Sequence, residues 1–327
     1  MTPLRILAAA TAIELCAATG LAALVGLGGQ SNGALDLVNS AAPLLLALAL
    51  LGVLTARASL QSGPFRTVCV SLALAAAVFN LVLLAPDAVR AVSAPRPQAG
   101  GRLYRIVTAN LYHDNYVPEH AVATLLAHHA DALMLEETDG SALGALGPID
   151  QAYPYVMRCP GADLAIWTRT PMLAQGCGLA TAPKWEDKWG RSFAWVSTLG
   201  PDGRPIILAA VHLGRPSEAG RQAWERAAVA KALAQLPGGR VVLAGDFNTA
   251  PWTFGMFRQD RLLAPLRRVS LFLPTYPALI AHNRWDWPLL PIDHVYVGPA
   301  WGPARVGRFR TNGSDHSGLE AELQLQR

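Results

Sequence analysis

The sequence predicts a mixed α/β domain that follows three membrane-spanning helices. Of its 327 residues, 52% are hydrophobic and 15% are charged, but residues 1–86 hold only five of the 27 basic and 23 acidic side chains. From residue 102 onward, short apolar runs typical of strands alternate with amphipathic helical segments. The apolar content and the net charge of +4 exclude a disordered chain, and four cysteines are too few for a small disulfide scaffold.

Three apolar runs occupy the N-terminal region: Leu4–Leu27, Leu37–Ala56 and Val68–Leu84. Each approaches the ~20 residues that a helix needs to cross a bilayer. A signal peptide is an alternative for the first run, and buried core helices are an alternative for all three. Three long runs in succession with almost no charge favour membrane spans. We therefore expect a multi-pass protein of the plasma membrane, with residues 1–86 as the transmembrane region.

The basic residues of the short loops predict the orientation of these spans. The loop Gly28–Asp36 has no Lys or Arg, whereas Arg57–Arg66 has two, and Arg5 precedes the first span. This bias places the N-terminus in the cytoplasm and everything after the third span outside it. Four arginines that follow the third run favour the opposite orientation: Arg90, Arg96, Arg102 and Arg105. The short loops carry more weight, because long domains translocate largely regardless of their charge.

Two cysteines of the later domain bear on the same question. Cys159 and Cys177 could form a disulfide if that domain faces an oxidising compartment. Their spacing in the sequence does not show whether they are paired. A disulfide would independently favour an extracytoplasmic domain.

Residues 87–101 are rich in Pro, Gly and Ala, which is typical of a linker, and residues 102–327 are enough for one large core. The predicted strands are Leu103–Ala109, Ala132–Leu135, Ala165–Thr168, Phe193–Ser197, Pro205–Leu213, Arg240–Ala244, Ile292–Val297 and Leu319–Leu325. The predicted helices are Pro118–His129 and Ser217–Leu236. Strands and helices alternate, which predicts a mixed α/β domain.

Carboxylate, amide and imidazole side chains stand where the predicted strands or loops end. They are Asn110, Glu136, Glu137, His212, Asp246, Asn248, Asp293, His294, Asp315 and His316. In α/β folds, sites form at strand ends and in the loops that follow them. Oxygen ligands suit a hard cation such as Mg²⁺ or Mn²⁺, and His with Asp suits an oriented base or a phosphate-binding imidazolium. The set predicts metal-assisted hydrolysis at phosphorus.

Taken in order, these residues resemble the motifs of the endonuclease/exonuclease/phosphatase superfamily. The motifs are Asn110, Glu137, His212, the GDFN of residues 245–248, Asp293 and the SDH of residues 314–316. The resemblance covers about residues 102–327, and the three leading helices resemble the membrane-anchored VanJ-like branch linked to teicoplanin resistance. It implies a DNase I-like catalytic domain of two packed β-sheets with helices outside.

The resemblance also implies a metal site for Mg²⁺ or Mn²⁺. Glu137 would be the principal ligand, assisted by Asn110 and Asp315. Two departures from the family pattern leave the number of metals open. Glu136 stands where many members have Gln, and Tyr112 stands where abasic-site nucleases have Asp.

The remaining motif residues take catalytic roles by the same resemblance. His316 would be the base or a phosphate contact, oriented by Asp293. Asp246 would position or deprotonate the attacking water. Asn248 and His212 would hold phosphate oxygens and stabilise the developing charge. The alternative for Asp246 and Asn248 is a turn after a strand, and for Asp293 it is a strand cap.

Tethering to a bilayer favours a phosphorylated lipid as the substrate, because it raises the effective concentration of lipid at the site. By resemblance, a lipid-linked phosphate or pyrophosphate comes first and a phospholipid diester second. A surface-anchored DNA or RNA nuclease is the alternative, although the sequence has three lysines and no basic block. A non-catalytic binding module is a third possibility, and nothing indicates an obligate protein partner. Trp252 and Trp285–Trp287 could line a substrate groove or lie in the core.

Overall fold

The computed structural model describes residues 3–94, 103–161, 163–178, 192–280 and 283–326. The chain forms two compact units. The first contains Met1–Val92 and the short segment Pro251–Phe257, and the second contains Ser93–Ala250 and Arg258–Arg327.

Three long helices make up most of the first unit. They are α1 (Pro3–Gly28), α2 (Ala42–Ser59) and α3 (Pro64–Ser93), and a 3₁₀ turn at Leu35–Ala41 precedes α2. Together with that turn they give three candidate spans of 26, 25 and 30 residues that are long and apolar enough to cross a membrane. The prediction of three apolar helices that could span a membrane is confirmed.

Small side chains lie between these helices, and large ones lie outside. Ala12 and Cys16 of α1, Ala56 of α2 and Ala73 of α3 are buried in one cluster. Small residues let helix backbones approach closely, as in membrane helix bundles. The helix α3 continues through Pro86, so residues 87–93 of the predicted linker are helical, and residues 95–101 lie outside the described residues.

The second unit contains fourteen strands among its described residues. They are β1 (Leu103–Asn110), β2 (Ala132–Glu136), β3 (Tyr155–Arg158), β4 (Ala165–Thr168), β5 (Met172–Cys177), β6 (Phe193–Leu199), β7 (Pro205–His212), β8 (Val241–Asp246), β9 (Arg267–Arg268), β10 (Leu279–Ile280), β11 (Asn283–Arg284), β12 (Asp293–Val297), β13 (Trp301–Arg310) and β14 (Ser317–Leu325). Its helices are α4 (Pro118–Ala127), α5 (Gly147–Ala152) and α6 (Ala219–Leu233), and α7 (Phe254–Leu262) begins in the first unit.

Twelve of these strands form two six-stranded sheets. The first sheet has the order β13-β14-β1-β2-β4-β3 and the second has the order β5-β6-β7-β8-β12-β9. The main core contains apolar residues of both sheets: Ile106, Met134, Ile166, Leu208, Val242 and Val295. A second core joins the other face of β1 and β2, at Val107 and Leu133, to Leu125 of α4 and Ile149 of α5. The predicted α/β fold of two packed sheets is therefore confirmed.

Strand β8 determines which residues meet at one end of the second sheet. It runs parallel to β7, with Asp246 opposite His212, and antiparallel to β12, with Asp246 opposite Asp293. In the first sheet, β1 and β2 are parallel, with Asn110 opposite Glu136. The carboxyl ends of β1, β2, β7 and β8 and the start of β12 thus carry polar side chains, as the sequence predicted.

The structure adds one long strand that the sequence pattern did not predict. β13 contains Gly302, Gly307 and three arginines, so it lacks a continuous apolar run. It lies at the edge of the first sheet and, among the described strands, pairs only with β14. Edge strands tolerate charged residues, because one of their sides has no neighbouring strand. The predicted helix Ser217–Leu236 is also shorter, since it begins as a 3₁₀ turn at Pro216–Glu218.

A disulfide joins the two sheets at their edges. Cys159 follows β3, an edge strand of the first sheet, and Cys177 ends β5, an edge strand of the second. The two cysteines are bonded, with their Cα atoms 5.5 Å apart. The structure therefore contains the disulfide that the sequence alone could not decide.

Candidate active site

Asp246 lies at the centre of the predicted site, at the end of β8. Its side chain is buried, and its Oδ2 atom is 3.8 Å from Nε2 of His212 and 3.8 Å from Nε2 of His316. The parallel register of β7 and β8 brings His212 to this position. The turn before β14 brings His316. One buried carboxylate therefore lies close to two imidazoles.

The ring of His316 is held by Asp293. Its Nδ1 atom lies 2.9 Å from Oδ2 of Asp293, and its backbone N–H donates to Oγ of Ser314. The Ser314 hydroxyl in turn donates to the backbone oxygen of Asn110 at 2.8 Å. Burial lowers the pKa of His316, but the charges of Asp293 and Asp246 outweigh burial and raise this pKa to about 10. His316 is therefore an imidazolium at neutral pH.

His212 has an equivalent partner that sequence reasoning missed. Its Nδ1 atom lies 2.7 Å from Oδ2 of Asp163. Burial lowers the pKa of His212, but the hydrogen bond and charge of Asp163 outweigh burial and raise it to about 10. Asp163 stands in the loop before β4, so a search for polar residues that follow strands does not find it.

Glu137 and Asn110 lie side by side at the ends of β2 and β1. The Asn110 amide donates to Oε1 of Glu137 at 2.9 Å, and its Oδ1 atom accepts the Tyr112 N–H. The other oxygen of Glu137 accepts the His113 N–H. Glu137 and Tyr112 have φ angles of 53° and 64°, a left-handed conformation that is costly for residues other than glycine. Such strain is common at functional sites, where surrounding contacts hold it.

The loop after β8 is tightly held. The Asn248 N–H donates to Oδ1 of Asp246 at 2.7 Å, and its side-chain amide donates to the backbone oxygen of Leu213. Thr249 accepts hydrogen bonds from Gln222 and Arg226, both on α6. The side chains of Asp246 and Asn248 are therefore fixed from several sides.

Gly245 also has a structural reason to be glycine. Its φ angle is 138°, and a Cβ atom there would collide with the backbone oxygen of Val211.

Several carboxyl groups share a small buried volume. Burial raises the pKa of Asp246 to about 6, with His316 opposing the rise and Asp293 adding to it. Burial also raises the pKa of Asp315, to which the charge of Glu137 contributes. Such crowding of acids is relieved by a bound cation.

Glu136 adds to this crowding. Burial raises its pKa well above the ordinary value, and the charges of Asp293 and Asp246 contribute to the rise. Its Oε1 atom accepts from Thr108, but its buried Oε2 atom has no hydrogen bond among the described residues.

This donor set fits a hard divalent cation. Glu137 and Asp315 offer carboxylate oxygens, as Mg²⁺ prefers. Asn110 turns its NH₂ group towards Glu137, and its amide oxygen accepts the Tyr112 N–H, so its oxygen would have to turn to join them. A second group of possible ligands also exists, because ligand atoms of Asp246, Asp293 and His316 lie within 4.8 Å of one another.

The structure also shows where the remaining candidates lie. His294 is buried on the other side of β12, with its Nε2 atom 3.0 Å from the backbone oxygen of Thr249, so it supports the loop. Trp252 is only 3% exposed, and its indole N–H donates to the backbone oxygen of Ser40. Trp252 therefore lies in the core of the first unit. Trp287, by contrast, is 75% exposed.

Comparison with known families identifies the second unit. The sequence model of the Endonuclease/Exonuclease/phosphatase family matches residues 107–316, which is more than half of the chain. The chain belongs to this family. Its members are metal-dependent phosphoester hydrolases, so the predicted enzyme class is confirmed. No curated protein matches the sequence.

Solved structures with the same fold include three from different organisms. TDP2 from D. rerio, complexed with a single-strand DNA product, is 14% identical, with a TM-score of 0.55 over 68% of this chain and 99% of that chain. An endonuclease/exonuclease/phosphatase from Beutenbergia cavernae is 20% identical, with a TM-score of 0.52 over 68% and 72%. Sphingomyelinase C from Streptomyces griseocarneus is 15% identical, with a TM-score of 0.51 over 68% and 99%. At these identities, the likeness shows the fold.

We expect Asp163→Asn to lower kcat by about 10²-fold, because the neutral amide no longer stabilises the charged His212 ring. An NMR titration should show the pKa of His212 falling from about 10 towards its ordinary value. Asp202→Asn is the control, since Asp202 pairs with Arg240 in an exposed position. An unchanged kcat in Asp163→Asn, with the lower pKa present, would refute a role for the charged ring.

Proposed function

We propose that this protein is a membrane-anchored, Mg²⁺- or Mn²⁺-dependent phosphohydrolase that cleaves a lipid-linked phosphate ester or pyrophosphate at the outer face of the membrane. The observation that carries the proposal is the buried cluster around Asp246, in which carboxylates lie beside two imidazolium groups. The three apolar helices of the same chain supply the membrane anchor.

Glu137, Asn110 and Asp315 would hold the metal. When bound, the ion polarises the phosphoryl oxygen and neutralises charge that develops on the phosphate. The left-handed backbone of Glu137 and its hydrogen bonds to Asn110 and His113 hold this carboxylate in one orientation. Such preorganisation avoids the cost of moving the ligand during the reaction.

The two histidines would bind the phosphate oxygens. In each ring, Nδ1 faces a carboxylate, Asp163 for His212 and Asp293 for His316, which leaves Nε2 facing Asp246 and the site. Because both pKa values are about 10, both rings carry a proton on Nε2 at neutral pH. This favours the role of His316 as a phosphate contact over its role as a base.

Asp246 is the better candidate to activate the water. Its pKa of about 6 leaves it ionised at neutral pH, yet basic enough to accept a proton from a water in the site. Asn248, held by Asp246 and Leu213, would add an amide donor for a phosphate oxygen. Together these groups position water, bind phosphate and stabilise negative charge.

We expect the purified protein with Mg²⁺ to hydrolyse a polyprenyl pyrophosphate in preference to a phospholipid or single-stranded DNA. Glu137→Gln should lower this turnover by at least about 10²-fold, because it removes the charged ligand. Glu119→Gln, the same change at an exposed position, is the control.

Either of two results would contradict this assignment. Turnover of DNA alone would establish a surface-anchored nuclease instead. Full activity of Glu137→Gln would reject Glu137 as the principal metal ligand.

An exposed apolar loop beside the site supports a lipid substrate. Trp287 and Leu289 are 75% and 66% exposed, and they follow the β10–β11 hairpin. The hairpin is joined to the site, because the Ala278 N–H donates to the backbone oxygen of Asp315 at 2.6 Å. Indole side chains favour the interface between lipid and water.

Trp287→Ala should therefore raise the apparent KM for the lipid substrate in vesicles by about tenfold, since it removes apolar area that would be buried in lipid. Turnover of a soluble p-nitrophenyl phosphate ester should not change. Leu143→Ala, at another exposed apolar residue of the second unit, is the control. An equal loss on both substrates would contradict a lipid contact.

The orientation of the catalytic domain is part of the proposal. The basic residues of the short loops place this domain outside the cytoplasm. The Cys159–Cys177 disulfide supports the same side, because disulfides form and persist in oxidising compartments.

We expect intact cells to incorporate an impermeant maleimide into the protein only after an impermeant reductant is added. The reductant frees Cys159 and Cys177, and both are within reach only if the domain lies outside. The double variant with Ser at both positions should remain unlabelled. Labelling of the unaltered protein that requires cell lysis but no reductant would reject this orientation.

A further inference from the structure

Asp36 is a buried acid at the start of the second candidate span. It lies in the 3₁₀ turn that precedes α2 and is 6% exposed. Burying a carboxylate is costly unless hydrogen bonds compensate. Asp36 therefore needs partners, and these partners lie far away in the sequence.

The partners are the first two backbone N–H groups of α7. Phe254 N–H donates to Oδ1 of Asp36 at 3.0 Å, and Gly255 N–H donates to Oδ2 at 2.6 Å. Asn39 also donates to Oδ1 at 2.8 Å. Both carboxylate oxygens are used, and all four residues belong to the first unit.

Asp36 completes the N-terminal cap of α7. The first N–H groups of a helix have no partner within the helix, and a negative charge near them is favourable. The hydroxyl of Thr253 accepts the N–H of Met256 at 3.2 Å, which is the local part of the cap. Asp36 satisfies the two N–H groups that precede Met256.

Other contacts hold the same segment in the first unit. The indole N–H of Trp252 donates to the backbone oxygen of Ser40 at 3.1 Å. The rings of Phe254 and Phe79, on α3, lie with centroids 6.4 Å apart. The segment Pro251–Phe257 is thus bound by the turn before α2 and by one of the long helices.

This segment follows the catalytic loop directly. Pro251 is the third residue after Asn248, and Asn248 is hydrogen-bonded to Asp246. Asn248 also has a left-handed backbone, with φ at 50°, a conformation that asparagine adopts more readily than most residues and that sets the direction of its side chain. A displacement of Phe254 and Gly255 would also move Asn248, because only five residues separate Asn248 from Phe254.

We propose that Asp36 is a positioning residue for the active site: by capping α7, it holds the loop that follows β8 and carries Asn248, the hydrogen-bond partner of Asp246. This inference rests on the hydrolase function proposed above. The membrane-spanning region then contributes to the geometry of catalysis in addition to anchoring the enzyme. A purely structural role for Asp36 in the helix bundle would leave turnover unchanged once the protein is folded.

The test compares Asp36→Ala, Asp36→Asn and Asn32→Ala in the full-length protein in lipid nanodiscs, with whichever of polyprenyl pyrophosphate, phospholipid and single-stranded DNA the unaltered protein hydrolyses fastest. Asn32 is the matched control, since it is an exposed acceptor in the same connection, for the Ala34 N–H. Hydrogen–deuterium exchange of the Phe254 and Gly255 amides measures whether their hydrogen bonds to Asp36 are formed, and it needs no substrate. Steady-state kinetics then report its effect on the reaction.

In Asp36→Ala, we expect both amides to exchange at least about tenfold faster, because two buried donors lose their acceptor. We expect kcat to fall by roughly tenfold to a hundredfold with little change in KM, because groups that act on the reacting atoms are misplaced. Asp36→Asn keeps one acceptor oxygen, so its amide exchange rates and its kcat should lie between those of Asp36→Ala and those of the unaltered protein. Asn32→Ala should match the unaltered protein.

A second, milder variant distinguishes loss of positioning from failure of the protein to fold. Trp252→Phe keeps the aromatic ring but removes the hydrogen bond to Ser40, so kcat should fall by a smaller factor while the bundle stays intact. Faster exchange with an unchanged kcat in Asp36→Ala, or unchanged exchange, would overturn the positioning role alone. Absence of turnover by the unaltered protein would reject the hydrolase function itself, and the positioning role with it.

Discussion

The register of strand β8 is the constraint on which the rest of the site depends. It sets Asp246 opposite His212 on β7 and opposite Asp293 on β12. Because side chains alternate between the two faces of a strand, a slip of one residue would send Asp246 to the opposite face. The apolar residues of β8, such as Val242, face the core between the sheets and resist such a slip. The same packing that stabilises the fold therefore also places the groups of the candidate site.

Paired charges make this buried site possible. Asp163 and Asp293 each bind one imidazole and keep it protonated, so that two cations lie 3.8 Å from Asp246. Breaking a buried charge pair by removing one partner leaves the other charge without compensation, which is strongly destabilising. The remaining carboxylates still repel one another, since burial and neighbouring acids raise the pKa values of Glu136 and Asp315. A divalent cation on the side of Glu137 would offset that repulsion.

The three long helices of the first unit combine two patterns. Small side chains such as Ala12 and Ala56 lie between the helices, while leucines such as Leu24 and Leu54 face outward. In a bilayer, packing leucine against leucine would bring no hydrophobic gain, so close contact of small residues would hold the helices together. The segment Pro251–Phe257 belongs to this unit although it directly follows the loop of the candidate site. The first unit and the loop of the candidate site are therefore joined by a stretch of chain only a few residues long.

Local patterns in the sequence determined the three apolar helices that could span a membrane, the mixed α/β class and the strand ends that carry Asn110, Glu137 and Asp246. These features depend on runs of neighbouring residues, because hydrophobic periodicity and the end of an apolar run are visible within about ten positions. Only the tertiary structure decided that Asp163 partners His212, 49 positions away, and that Asp36 caps a helix 218 positions away. It also decided that Cys159 pairs with Cys177. Such contacts depend on how the sheets and helices are packed in space, and no local pattern in the chain encodes that packing.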